Sequence, residues 1–210
     1  MAYVSNSDGV FRPAHSTPCK MKHTPIAPVK DDVRSEWMWK ANRTEALVTI
    51  SPFALGVANT LRWSGPCWVV DKEEPVIKAA KRMKEQFPRL DIRGAHLMLV
   101  EDFMPVFFAR ENLKRVVTDL DLTGSIKTLY STLKSVYDAY LQEKAHGMIY
   151  LTFSERGDGL CSTTQRRHWL EERLPKEVKL VSSRSYLSDR WDENARLKPG
   201  ANMCIFGLKL

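Results

Sequence analysis

Cys67 stands in the stretch WSGPCWVV (63–70), with His96, His146 and His168 downstream. A thiol attacks only as its thiolate, which a helix N-terminus or a neighbouring imidazole must stabilise. With His146 as base, Cys67 defines one enzymatic alternative, a cysteine hydrolase. The residues that follow, WVVD, read as strand, and the next helix starts only near Glu74. This context favours Cys67 as a small buried residue in a core strand, since free cysteine is among the most buried residue types. Alternation along such a strand sends Trp63 and Trp68 to opposite faces, which leaves one of them as a candidate for stacking on a base.

A second constellation is SERGDGLCSTT (154–164), which joins an apolar strand to a helix. Backbone N–H groups at a helix N-terminus attract anions, so Arg156, Gly157, Gly159, Ser162 and Thr163 form a candidate anion-binding loop. GxGxxS approximates a dinucleotide fingerprint, and SSR at 182–184 lies where a 2′-phosphate could be met. Three residues separate strand from first glycine, however, where that fingerprint needs a tight turn. The pattern therefore favours a surface loop capped by Ser162 or Thr163, and no cofactor is expected. His15, Cys19 and His23 stand four apart and carry nitrogen and sulfur suited to zinc. Pro13, Pro18 and Pro25 break the helix that would align them and no fourth ligand lies nearby, so no metal is expected. Over two residues only, Cys67-Trp68 resembles the cysteine-aromatic pair of papain-like proteases.

Charge adds a third set. Against 25 Asp and Glu stand 32 Lys and Arg, a net charge of +7, which favours anionic partners. The cations fall in short groups: Lys20 and Lys22; Lys78, Lys81 and Arg82; Lys114 and Arg115; Arg166 and Arg167. These are the candidate nucleic-acid contacts, with Glu85, Glu111, Glu171 and Glu172 interleaved. Solvated helix faces would carry the same pattern.

The elements that must position these groups are legible in part. Residues 1–33 are rich in proline and polar residues and read as an extended arm; 34–210 read as one mixed α/β domain. ALVTI (46–50), 61–70, 91–100, 104–109, MIYLTF (148–153), EVKLVS (177–182) and the C-terminal NMCIFGLKL read as strands. EEPVIKAAKRMKEQF (73–87) is helical, with Val76, Ala80, Met83 and Phe87 on one face and Lys78, Lys81 and Arg82 opposite. Helices are also expected over 125–144 and 163–174. The expected fold is thus a mixed sheet flanked by three to four helices.

No apolar run reaches the roughly 20 residues of a membrane-spanning helix, and the first 15 residues lack the pattern of a signal peptide. Four dispersed cysteines, Cys19, Cys67, Cys161 and Cys204, form no CxxC pair, which suits a reducing intracellular setting. With each catalytic candidate failing its context, the sequence favours a non-enzymatic basic subunit of a larger assembly, a ribonucleoprotein or viral particle, that binds RNA or another polyanion and docks on protein partners through the arm. The alternatives are the Cys67 hydrolase and a structural protein on an acidic protein lattice.

Overall fold

The computed structural model describes residues 3–5, 11–13, 28–191 and 197–210. Two three-residue strands, β1 (Tyr3–Ser5) and β2 (Phe11–Pro13), pair antiparallel. All other strands belong to one sheet: β3 (Ala46–Thr49), β4 (Cys67–Asp71), β5 (Ile92–Leu97), β6 (Arg115–Asp121), β7 (His146–Ser154), β8 (Lys179–Trp191) and β9 (Leu197–Lys209). Their order is β5-β4-β3-β6-β7-β9-β8. The first five run parallel, and β9 is inserted antiparallel between β7 and β8. Counted from β3, that is 3-2-1-4-5-7-6, a doubly wound, Rossmann-like sheet with an antiparallel edge.

Parallel strands need crossover helices on both faces, so the central strands are apolar on both sides. Helices α1 (Pro28–Lys40), α2 (Phe53–Thr60) and α3 (Glu74–Gln86) cover one face, packing on Leu47, Cys67, Val69, Ile92 and Val117. Helices α4 (Val100–Glu111), α5 (Ile126–Gln142) and α6 (Thr163–Glu171) cover the other, over Val48, Trp68, Val116, Ile149 and Phe206. The described residues thus carry six helices. None is long and apolar enough to cross a membrane.

Several local expectations hold. Pro75 sits in the first turn of α3, whose apolar face is buried. Ser125 and Thr128 form a reciprocal capping box at the start of α5. Others change. Residues 104–109, read as strand, lie inside α4: Val100, Phe103, Met104, Phe107 and Phe108 are buried at helical spacing. Pro105, midway along that helix, removes only one intrahelical bond. Residues 61–63 form the turn after α2, with Arg62 at φ 55°, and the Trp63 indole donates to the Glu45 carbonyl at 3.0 Å. Trp63 and Trp68 lie in opposite face clusters as expected, but both are buried, so neither offers a stacking surface. Helix α1 begins at Pro28, inside the segment read as arm.

Gly147 is the tightest backbone approach in the sheet. It lies at φ +145°, and a Cβ there would sit 1.8 Å from the Val116 carbonyl oxygen on β6. Gly147→Ala is expected to lower unfolding free energy by about 2–4 kcal/mol through steric clash and backbone strain, read as a lower denaturant midpoint at unchanged slope.

Candidate functional site

In an open parallel sheet, ligands bind outside the carboxyl ends of the strands, where neighbouring strands send their connections to opposite faces. Here that point lies between β3 and β6. The connection after β3 leads to α2 on one face; the connection after β6 leads to α5 on the other. Register places Thr49 beside Asp119 at this edge.

A buried polar cluster fills the position. Along β6, Val117, Asp119 and Asp121 share the face covered by α1, because side chains alternate along a strand. Asp119 is fully buried, and its Oδ2 accepts the Thr49 hydroxyl at 2.9 Å. Arg34 of α1, itself buried, reaches down onto the edge. Its Nη2 donates to Ser51 Oγ at 3.1 Å and to Asp121 Oδ2, its Nε lies 3.8 Å from Asp119 Oδ2, and its Nη1 lies 3.5 Å from Asp31 Oδ1. Lys30 Nζ adds a 2.7 Å ion pair to Asp121 Oδ1. Three carboxylates therefore share two cations.

The sharing is unequal. Asp119 Oδ1, Asp31 Oδ1 and the Tyr186 hydroxyl are buried there without a hydrogen-bond partner. Burial pushes the Asp31 carboxyl up to about 7 and Asp119 up to about 6, against the pull of Arg34. Asp121, although also desolvated, is held below the usual carboxylate range by Lys30 and Arg34. Arg34 stays charged, its three carboxylate neighbours outweighing its desolvation. One strand beyond β3, β4 ends at Asp71, whose Oδ1 accepts the Glu73 N–H at 2.7 Å. Asp71 follows Thr49 by about the 20 residues at which nucleotide-binding sheets place the acidic group that reads a ribose diol.

The residues singled out in the sequence lie elsewhere. Cys67 is fully buried at the amino end of β4, and desolvation pushes its thiol up to about 12. His146 opens β7, which is separated from β4 by β3 and β6, on the order of 14 Å away at about 4.8 Å per strand. The pair cannot form a nucleophile and its base. The glycine loop follows β7 rather than the switch point. Gly157 and Gly159 take φ of 80° and 69°, and Ser162 caps α6 by accepting the Gln165 N–H at 3.2 Å, the surface-loop reading. Thr163 lies beside Ser185, and Arg156 turns back through its N–H to Ser154 Oγ at 3.3 Å. Arg166 is buried rather than offered to a polyanion: Asp158 binds it in fork fashion at 2.7 and 3.1 Å, and the Glu155 and Leu160 carbonyls accept its Nη2.

The remaining cations do not share one surface. Lys78, Lys81 and Arg82 are exposed on α3, Arg167 pairs with Glu171 on α6 across the sheet, and Lys114 and Arg115 mark the amino end of β6. Lys20, Lys22 and the His15, Cys19, His23 set lie outside the described residues. What sequence reasoning passed over was TDLDLTG (118–124), an apolar strand closing on two carboxylates one alternation apart, the available signal for this site.

No family model and no curated relative matches the chain. Solved structures do. A SAM-dependent O-methyltransferase from Thermotoga maritima is 15% identical with a TM-score of 0.51, over 90% of this chain and 68% of that one. TYW2 of P. horikoshii, in complex with MeSAdo, is 10% identical with a TM-score of 0.55, over 97% and 72%. A precorrin-6y C5,15-methyltransferase from Geobacter metallireducens is 12% identical with a TM-score of 0.52, over 91% and 93%. At such identities the likeness shows the fold. It corrects the expectation of a non-enzymatic, RNA-binding structural subunit of a ribonucleoprotein or viral particle: the neighbours are enzymes, and the polar cluster lies where such sheets bind ligands. The acidic-lattice and cysteine-hydrolase alternatives gain no support either.

Two outcomes test these assignments. Because the folded-state pKa of Asp31 is raised from 3.8 to about 7, the folded state holds a proton that the unfolded chain releases, and stability falls as pH rises through that window. Asp31→Asn removes this dependence. Relative to wild type, the variant should gain about 2–4 kcal/mol between pH 4 and pH 7.5, as the shift implies, measured by chemical denaturation at each pH. Secondly, iodoacetamide at pH 7.5 should label exposed Cys161 while Cys67 and Cys204 stay unmodified, as peptide mass mapping would show.

Proposed function

We propose that this chain is a methyltransferase that takes S-adenosylmethionine at the carboxyl edge of β4, β3 and β6. The observation that supports this most is Asp119 Oδ1, a buried carboxylate oxygen without a hydrogen-bond partner at the switch point of a sheet ordered 3-2-1-4-5-7-6, beside Asp31 Oδ1, whose one cation stands off at 3.5 Å. Buried acceptors of that kind call for a donor or a positive charge, and S-adenosylmethionine carries an ammonium and a sulfonium. Asp71 is placed to accept from the ribose hydroxyls.

The connection after β3 departs from a glycine cradle. It reads Ile50-Ser51-Pro52 before α2, and the second and third helical N–H groups, of Ala54 and Leu55, already donate to the Ser51 and Pro52 carbonyls at 3.1 Å. Side chains, more than backbone, must therefore hold the amino-acid end of the cofactor. The donor set fits the group in its ribose and cationic parts.

When bound, S-adenosylmethionine supplies an electrophilic methyl group. The chain's own contribution is positional and electrostatic. Asp71 orients the nucleoside. Asp121, kept ionised by Lys30 and Arg34, fixes the charge balance of the crevice. Asp119 Oδ1, on a carboxyl with a raised pKa, is an acceptor for a proton released from a methyl acceptor near neutral pH.

Calorimetric titration with S-adenosylmethionine and S-adenosylhomocysteine tests the reading. Wild type should bind both, and Asp71→Ala should weaken both by roughly 10- to 100-fold, the loss of a hydrogen bond to a charged acceptor. Absence of binding by wild type would overturn it.

A further inference from the structure

We propose that α1 is a built-in latch: the Arg34 guanidinium occupies the seat of a ligand's positively charged group, and the ligand enters as α1 lifts off the crevice. The inference rests on the cofactor reading above for the identity of its ligand, but on geometry for the latch itself. Arg34 reaches from α1 across to both strands of the switch point, touching Ser51 after β3 and Asp119 and Asp121 on β6. A cation thus already stands where the crevice has its carboxylates.

It fits incompletely. Nε lies 3.8 Å from Asp119 and Nη1 3.5 Å from Asp31, beyond good charge-assisted hydrogen-bond length. Asp119 and Tyr186 each keep a buried polar atom without a hydrogen-bond partner around it, and Asp31 Oδ1 has only the long ion pair to Arg34. A well-made structural ion cluster satisfies such atoms, because an unpaired buried acceptor destabilises the state that holds it. The strain on this set is relieved by a ligand that brings its own donors.

The latch is attached in its first turn by Lys30 on Asp121 and midway along by Glu36 on Arg184 of β8, an exposed pair. Its apolar side, Val33, Trp37 and Met38, is buried, and Trp37 stacks on Tyr150 of β7 at 4.1 Å. Ion pairs at the rim and one apolar stripe are attachments that a segment can release locally without global unfolding. A ligand with equal affinity for latched and open forms would shift nothing; one that competes with Arg34 favours the open form.

The test combines binding with hydrogen exchange of the amides of α1. The proteins are wild type, Arg34→Met and Lys30→Gln; the last weakens the latch at its half-exposed rim and leaves the buried charges in place should Arg34→Met fold poorly. S-adenosylmethionine should accelerate exchange across α1 in wild type, and both variants should exchange faster there without ligand and bind S-adenosylmethionine more tightly, Arg34→Met by at least tenfold. Slower exchange of α1 on binding, or weaker binding by both variants, would overturn the latch while leaving the cofactor reading intact. If no protein binds S-adenosylmethionine, the cofactor reading fails, and the latch is decided by the ligand-free exchange alone: at least tenfold faster α1 exchange in Lys30→Gln, with β3 and β6 unchanged, supports it, and unchanged exchange overturns it.

Discussion

A positive charge held among two buried carboxylates and a third, partly buried one organises the carboxyl edge of this sheet. Arg34 cannot lose its proton, and Asp119 and Asp121 cannot leave β6, so α1 is drawn over the one point where the sheet's connections diverge. Desolvation makes the arrangement conditional. Each carboxylate removed from water without a full set of donors shifts toward its neutral form, and only Asp121, which has both Lys30 and Arg34, moves the other way. The cluster is acceptor-rich, which is the property a cationic ligand needs.

The rest of the molecule holds that edge in place. Apolar strands β3 and β6 are buried on both faces, with α2 and α5 leaving their ends in opposite directions. Thr118 and Tyr140 hydrogen-bond beneath the site at 2.7 Å, tying α5 to β6 on the far face. On the near face Thr49 reaches Asp119 and its own neighbour Ser51, so the end of β3 is set by the same hydroxyl that orients the carboxylate. On the outer strands, Arg166 closes the 155–160 loop internally.

How much of this was legible depends on the range of the interaction. The α3 stripe, the helical stretch 125–144 and the run MIYLTF are local patterns, and each formed the element expected of it. Residues 104–109 misled because a dense aromatic run satisfies strand and helix alike; only the spacing of Val100, Phe103, Met104, Phe107 and Phe108 separates them. The site itself depends on pairings such as Arg34 with Asp121, 87 positions apart. Nothing local marks Arg34 as different from any other arginine of a basic chain. The excess of cations drew attention to surface charge, while one buried cation on α1 and the TDLDLTG carboxylates form the polar cluster at the switch point.

The most direct test of the account is photocrosslinking of radiolabelled S-adenosylmethionine to the wild-type chain, followed by peptide mapping. The account predicts label on peptides spanning the connection after β3, the end of β4 and the segment 119–124, with protection by excess unlabelled S-adenosylhomocysteine. Label confined to the 155–163 loop, or none that excess nucleoside removes, would contradict it.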